Sequence, residues 1–213
     1  MLLAVEPPRV VDPDRLPKPL VVDKVVAFVG SRPITLSEVE LELRLERAAA
    51  GDIAGATGLV TLNELANLLP ILVERTVVLR GMRSQYAGTL EPGIAEREVV
   101  RMRDSFTPEA WTAFLARLEL TEDEVRERRR RVLEAGTILE IAVDDAITVI
   151  RREDLEAYLA EHPDVSRAEA ERALRDAQEI VVRDDLLARK KKDLGAMIVD
   201  SIDRAGPRGE EAP

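Results

Sequence analysis

Apolar residues recur at helical spacing along most of this chain, and polar signals mark where the helices begin. Thr35, Thr61 and Thr121 each lie three residues before a glutamate, which is the pattern of a capping box at a helix start. Thr107 is followed by a proline, the favoured order of N-cap and first helical residue. These signals and the apolar spacing predict helices over residues 35–50, 61–79, 94–106, 107–118, 121–145, 153–161 and 166–194.

Two of these helices have distinctive patterns. The helix over residues 61–79 is apolar on all sides, as a central and fully packed helix is. Pro70 lies inside it, so we expect a kink near residue 66 or a split into two helices. The last helix is the longest, Gly195 can end it, and its apolar stripe comprises Ala173, Ala177, Ile180, Leu187 and Leu194.

Outside the helices, β-branched and apolar runs predict a small sheet. Residues 21–29, followed by the turn Gly30-Ser31-Arg32, predict a hairpin. Residues 147–150 and 196–202 predict two further strands. The expected fold class is therefore mainly α, with a small β-sheet.

Proline density and polarity at the two ends indicate the domain boundaries. Residues 1–20 hold five of the chain's 12 prolines, so we expect a flexible, extended arm there. Residues 21–203 are expected to form a single domain, followed by a disordered tail over residues 204–213. Within that domain, residues 21–163 form the first part, and residues 166–203 contribute the last helix and strand.

Composition and charge narrow the classes of function. The chain of 213 residues is 46% hydrophobic, 34% charged and 3% aromatic, with a net charge of -10. The core must therefore be aliphatic, and nucleic acid and anionic membranes are disfavoured as partners. The absence of cysteine excludes disulfides and Cys-ligated metals. Residues 59–79 are too often interrupted by polar residues for a membrane span, and Met1–Ala4 is followed by Glu6 and two prolines, so no secretory signal is visible in this sequence.

The polar residues do not combine into a catalytic pattern. His162 is the only histidine, so neither a histidine relay nor a multi-histidine zinc site is available. Adjacent residues diverge by about 100° on a helix, so the pairs Asp144-Asp145 and Asp184-Asp185 are expected to be solvated. Carboxylates surround the arginine-rich run 126–131, which favours salt bridges over a nucleic-acid site. We therefore expect a protein that is not an enzyme and uses no metal or cofactor.

One group of apolar residues has two interpretations. Met102, Phe106, Trp111, Phe114 and Met197 either pack the core or line an apolar groove that binds extended polypeptide. Flexible methionines and broad aromatic faces tolerate many partner sequences, which suits the second interpretation. Burial distinguishes the two.

Four segments together carry a family resemblance. They are the strand, turn and helix start of residues 23–39, the helix around residues 72–75, the helix pair joined across residues 114–121, and the β-branched run and helix of residues 147–158. In this order they resemble the N-terminal domain of the SurA-type periplasmic chaperones. The resemblance covers about residues 22–160.

In that family, one or two parvulin-type prolyl isomerase domains normally follow, and a long C-terminal helix and short strand then fold back onto the N-terminal domain. Here only residues 162–165 separate the helix of residues 153–161 from the last helix. The resemblance therefore implies a chaperone core without a parvulin domain. It also implies ATP-independent holding of unfolded polypeptides, including outer-membrane protein precursors, in the periplasm and without prolyl isomerase activity. The alternative is a non-enzymatic adaptor or structural protein of the same fold, which docks a fixed partner or forms a homodimer.

Overall fold

Helices make up most of the structure, a computed structural model that describes residues 23–199 of the chain. The elements in chain order are β1 (Val25–Val29), β2 (Arg32–Thr35), α1 (Leu36–Ala49), α2 (Ile53–Thr57), α3 (Leu62–Gly81), α4 (Ile94–Asp104), α5 (Pro108–Leu118), α6 (Glu122–Ala146), α7 (Arg152–Glu161), α8 (Arg167–Leu194) and β3 (Met197–Ile198). The mainly helical fold with a small sheet is confirmed. The arm and tail predicted at the chain ends, and the outer parts of the first and last predicted strands, lie outside the described residues.

Local capping chemistry explains where most of the helices begin. Thr61 and Thr121 form complete capping boxes with Glu64 and Glu124 at the starts of α3 and α6. The backbone N–H of each threonine, followed by its hydroxyl, lowers the pKa of the glutamate that it contacts. Thr107 caps α5, whose first residue is the predicted proline.

The predicted box at Thr35 forms only in part. The Thr35 hydroxyl accepts the backbone N–H of Glu38 at 3.3 Å. The Glu38 carboxylate, however, accepts a hydrogen bond from Arg32 on β2. The glutamate thus ties α1 to the hairpin.

Pro70 does not split α3, which runs unbroken from Leu62 to Gly81. The proline is exposed, so the backbone hydrogen bond that it removes lies on the water side of the helix. The other sides of α3 are buried, as predicted for a central helix, through Leu65, Leu68, Leu69, Leu72, Val73, Thr76, Val77 and Val78. Of the two outcomes predicted for Pro70, the split into two helices does not occur.

The sheet is antiparallel, and its strand order is β2-β1-β3. The hairpin turn between β1 and β2 contains Gly30 in the left-handed region, with a φ of 59°. On the other edge of β1, Ala27 pairs with Ile198 and Phe28 pairs with Met197. The last strand thereby returns the end of α8 to the first hairpin.

The strand predicted over residues 147–150 is wrong. The chain is extended where it leaves α6 at Ile147, with a φ of -69° and a ψ of 127°, and again at Arg151 before α7. Residues 147–150 pair with none of the three strands of the sheet, and Val149 is 90% exposed. An extended run becomes a strand only with a partner beside it, and the described part of the chain supplies none here.

Three clusters of buried apolar residues hold these elements together. The first lies between the sheet, α1 and α3 and includes Ile34. The second joins α1, α2, α4, α5 and the start of α6 around Trp111 and Phe114. The third joins α3, α6 and α8 through Ile138 and Leu187.

The arginine run 126–131 forms salt bridges, as predicted, and one of them is buried. Arg129 is 4% exposed and pairs with Glu98 of α4 at 2.7 Å and with Glu46 of α1 at 3.2 Å. Glu46 also pairs with Arg75 of α3 at 2.5 Å. Burial is the largest single influence on the pKa of Arg129, and it lowers that pKa. The hydrogen bond to Glu98 and the charges of Glu98 and Glu46 together outweigh burial, so the pKa of Arg129 is raised. This network joins four helices.

A short link connects α7 to α8. It consists of residues 162–166, and His162 stacks on Tyr158 with ring centroids 4.2 Å apart. Ser166 and Glu169 then form a capping box that starts α8. The link leaves no room for another domain at this position.

The apolar stripe predicted along α8 is buried unevenly. Gly195 ends the helix in the left-handed region, with a φ of 62°. Near that end, Leu187 is 3% exposed and Leu194 packs against the first core cluster. In the middle of the helix, Ala177 is exposed and Ile180 is 63% exposed. The end of α8 thus fixes the helix to the domain, while its middle leaves apolar side chains at the surface.

Candidate polypeptide-binding groove

The five residues that the sequence suggested for client binding do not form a groove. Met102, Trp111 and Phe114 are 1%, 5% and 2% exposed in the second core cluster. Phe106 is partly buried against them, with its ring 5.4 Å from that of Trp111 and 5.1 Å from that of Phe114. Met197 lies apart from them on β3 and is 58% exposed. For the three buried residues, burial therefore favours the interpretation that they pack the core.

A groove does exist on another face, along α6 between α3 and α8. Two cavities of about 550 Å³ and about 450 Å³ share Gly136, Leu139, Glu140 and Arg183. They therefore form one continuous depression, which we call the α6 groove. Each volume lies within the range of about 300–1,000 Å³ that is usual for ligand sites. Its apolar lining comprises Ile71, Val78, Val132, Leu133, Ala135, Leu139, Val143 and Ile180.

The two outer walls of the α6 groove carry exposed isoleucines. Ile71 on α3 is 45% exposed, and Ile180 on α8 is 63% exposed. Apolar area is worth about 25 cal/mol per Å² when it is removed from water. An incoming apolar side chain that covers these isoleucines therefore gains free energy without a rearrangement of the core.

The rim of the α6 groove is acidic. Its lining includes Glu74, Glu140, Asp144, Asp176 and Glu179 against Arg75 and Arg183. Arg183 lies 3.9 Å from Glu74, and Arg175 lies 3.7 Å from Asp144 and from Glu179. Glu140 on α6 and Asp176 on α8 make no ion pair within 4.0 Å among the described residues. This rim favours a bound segment in which basic side chains flank the apolar ones.

Gly136 opens the centre of the groove. It lies inside α6 and lines both cavities, and a Cβ built there would meet no atom within 4 Å. Packing therefore does not require glycine, although glycine in a helix interior costs about 1 kcal/mol relative to alanine. Its effect is to keep a smooth, side-chain-free surface at the point where the two cavities join.

Sequence reasoning missed this groove, although two of its residues gave signals. Ile180 belongs to the predicted stripe of α8, and Gly136 is an isolated glycine within a predicted helix. A glycine in a helix often has a packing or functional reason. The pairing of α6 with α3 and α8, which makes these residues neighbours, is not readable from local spacing.

The remaining candidate chemistry is dispersed. Within residues 23–199, no group of three or more histidine, aspartate or glutamate side chains is placed to hold a metal ion. His162 is exposed, and its Nδ1 lies 3.0 Å from the carbonyl oxygen of Tyr158. Asp144 lies 3.7 Å from Arg175. What the α6 groove offers is an apolar floor between carboxylates, which suits reversible binding.

Comparison with known proteins identifies no relative: no protein-family model, no curated protein and no solved structure matches the chain. Among the helices within residues 23–199, none has the length and apolar character needed to cross a membrane. The fold and the groove define a class rather than a family: a mainly helical protein with a small antiparallel sheet and an open apolar groove.

Proposed function

We propose that this protein is an ATP-independent holdase, a chaperone that binds extended segments of unfolded polypeptides in the α6 groove. The observation that carries the proposal is the continuous apolar groove with exposed Ile71 and Ile180 on opposite walls. Methionine and aromatic side chains are not needed for this role, because aliphatic walls also contact apolar segments without a fixed geometry.

The charge of the groove suggests which segments bind. A rim dominated by carboxylates favours apolar segments next to lysine or arginine and disfavours acidic ones. The net charge of -10 also keeps complexes with an unfolded chain soluble. We also propose that the clients are outer-membrane protein precursors and that the protein acts in the periplasm. Both statements rest on the resemblance to SurA-type chaperones.

The proposal includes no prolyl isomerase activity. In the resemblance to SurA-type chaperones, the catalytic domain would follow α7, and only residues 162–166 link α7 to α8 here. A measurable rate of prolyl isomerisation by the purified chain would contradict this part of the proposal.

Aggregation of chemically unfolded β-barrel proteins, followed by light scattering, tests the holdase. The full chain is expected to suppress aggregation of several unrelated clients at near-stoichiometric ratios. Gly136→Trp places a large side chain where the two cavities join and should abolish this protection. Gly136→Ala is the matched control, since it fills little of the groove and should keep full protection.

Folding of the two variants is compared by thermal unfolding. Gly136→Ala is expected to gain about 1 kcal/mol because alanine has the higher helix propensity. The exposed position and the empty space around it should let Gly136→Trp fold as well. Equal protection by the parent and a folded Gly136→Trp variant would overturn the assignment of the groove.

The second candidate function is a non-enzymatic adaptor of the same fold. Val181 favours it, because this α8 residue is 60% exposed and is not among the residues that line the α6 groove. A fixed partner or a second copy would cover it. An absence of protection for every client, together with self-association that Val181→Ser abolishes in analytical ultracentrifugation, would favour the adaptor.

A further inference from the structure

A third cavity lies beside the first half of α8 and has the opposite charge. Its volume is about 640 Å³, and it is enclosed by residues 147–150, by α7 and by α8. Its apolar lining consists of Ile147, Val149, Ile150 and Leu155. We call it the arginine cavity, because four arginines surround it: Arg152, Arg167, Arg172 and Arg175.

Two of the four arginines have no close carboxylate partner. Arg152 pairs with Glu156 at 2.6 Å and Arg167 pairs with Glu171 at 3.1 Å. Arg175 lies 3.7 Å from each of Asp144 and Glu179, too far for a hydrogen bond. Arg172 makes no ion pair within 4.0 Å in the described part of the chain. Since Glu171 is the one carboxylate among the described lining residues, Arg172 and Arg175 can donate hydrogen bonds to an anionic group that enters the cavity.

One wall of the arginine cavity is an extended backbone without a partner. Residues 147–150 have the β-branched composition of a strand. The backbone N–H and C=O groups of Thr148, Val149 and Ile150 make no hydrogen bond to another residue within 23–199. These groups form a free edge of the kind to which extended peptides add as a further strand.

Gln178 adds a second unsatisfied group at the same place. It lines the arginine cavity, and its side-chain oxygen is buried without a hydrogen-bond partner among the described residues. Buried polar atoms in folded proteins are normally hydrogen-bonded. Because this oxygen is buried, a backbone N–H of a bound peptide can supply the missing donor only after the Gln178 side chain rotates toward the cavity.

We propose that the arginine cavity binds an extended, acidic segment of polypeptide. The segment pairs its backbone with residues 147–150, and its carboxylates meet Arg172 and Arg175 in charge-assisted hydrogen bonds. Alternation of side chains along a strand directs apolar residues to Ile150 and Leu155 and acidic ones to the arginines. This proposal does not depend on the α6 groove, which selects the opposite charge.

Polypeptide fits this cavity better than the other anionic macromolecules. Nucleic acids and anionic membranes require positive potential over a broad surface, whereas here it is confined to one cavity of an acidic protein. A phosphate chain accepts hydrogen bonds only from the N–H groups of the free backbone edge and leaves its C=O groups unpaired. It contributes directly to binding a peptide.

Fluorescence anisotropy with a labelled peptide of alternating valine and glutamate tests the proposal at low ionic strength. The parent should bind this peptide and bind the matched valine-glutamine peptide at least about tenfold more weakly, because hydrogen bonds to charged groups are the strong ones. The double variant Arg172→Gln/Arg175→Gln should weaken binding of the acidic peptide by at least about tenfold. Both arginines are exposed, so the variant is expected to fold.

Two controls separate this site from the rest of the molecule. Arg189→Gln makes the same change on α8, at an exposed residue outside the arginine cavity, and should leave binding within about twofold of the parent. Gly136→Trp alters only the α6 groove and should also leave it unchanged. The proposed holdase function is therefore tested by Gly136→Trp, and the proposed acidic-peptide site is tested separately by Arg172→Gln/Arg175→Gln.

Hydrogen exchange supplies a readout of the backbone pairing. Addition of the acidic peptide should slow exchange at alternate amides of this run, either Val149 alone or Thr148 and Ile150 together, because only alternate N–H groups face one partner strand. The proposal is overturned if the glutamine peptide binds equally well, if the double variant binds like the parent, or if protection appears only in the α6 groove. Binding of anionic vesicles or an oligonucleotide in place of the peptide, lost in the same double variant, would also overturn it.

Discussion

Arg129→Met tests how far the buried ion-pair network stabilises the fold. The substitution leaves Glu98, whose side chain is 10% exposed, with only a 4.0 Å contact to Arg101 among the ion pairs of the described residues. Removal of one partner from a buried pair costs about 3–5 kcal/mol. The lower end applies here, because Glu46 keeps its pairing with Arg75 and because Nε of Arg129 and Oε2 of Glu98 lack hydrogen-bond partners in the parent. We therefore expect a loss of about 3 kcal/mol in the free energy of unfolding.

Urea and thermal unfolding, followed by circular dichroism, measure this loss. For a chain of this size, about 3 kcal/mol lowers the Tm by about 6–12 °C. The double variant Arg129→Met/Glu98→Met should return to within about 1 kcal/mol of the parent, because apolar replacement of a whole buried pair is close to neutral. Arg131→Met is the matched control on α6, and it should change stability by less than about 0.5 kcal/mol since Arg131 pairs at the surface with Glu127.

Comparison of the single and the double variant isolates the effect of the unpaired carboxylate. Both variants remove the arginine side chain, but only Arg129→Met leaves Glu98 buried without its main partner. A loss below about 1 kcal/mol for Arg129→Met, or a double variant as unstable as the single one, would refute the reasoning.

Three further predictions address stability and binding. The hydrogen bond from Arg130 lowers the pKa of Glu127 from 4.5 to about 2, so Glu127 stabilises the fold above pH 4.5 and loses that contribution as the pH falls toward 2. Glu127→Gln should therefore flatten the acid side of the stability curve measured by urea unfolding. Residue Glu119 ends α5 in the left-handed region with a φ of 53°, so Glu119→Gly should gain about 0.5–1 kcal/mol while Glu119→Ala should not, as judged by urea unfolding. Leu187→Ala should cost about 2–4 kcal/mol because Leu187 is buried, whereas Ile180→Ala should be close to neutral in stability and weaken client binding in the aggregation assay.

The helix starts could be predicted because capping chemistry involves residues only three positions apart. Thr61 and Thr121 needed nothing beyond their own glutamates, and both boxes form. At Thr35 the same signal gave only half of the box, since Arg32 on β2 takes the carboxylate of Glu38. Local signals thus predict where a helix begins, while the pairing of each charged group depends on tertiary neighbours.

The strand over residues 147–150 could not be predicted correctly from its composition. β-branched residues favour an extended backbone, and Ile147 is extended, but a strand also requires a partner strand beside it. The sheet takes its third strand, β3, from the far end of the chain, and residues 147–150 pair with none of its strands. Which distant segment reaches the sheet is not readable from local spacing.

The residues of the proposed binding site were harder to predict than the fold, for a related reason. Trp111 and Phe114 have the same side-chain chemistry whether they lie in a core or in a groove, and only burial distinguishes the two. A single aliphatic residue such as Ile71 cannot be distinguished as a binding residue in a chain that is 46% hydrophobic. Their role in the α6 groove arises because three helices meet around them.

One apolar stripe on α8 serves both the fold and the proposed binding. Leu187 anchors the helix to α3 and α6, while Ile180, two turns earlier, stays 63% exposed on the groove wall. Full burial of such a side chain contributes about 1.5–3 kcal/mol, and most of this is unused at Ile180 in the free protein. Ile71 is 45% exposed, so a client that covers both isoleucines recovers about one such contribution in total, which favours weak and reversible binding. The weak, sequence-tolerant contact that a holdase requires therefore follows from packing α8 firmly at one end and incompletely in its middle.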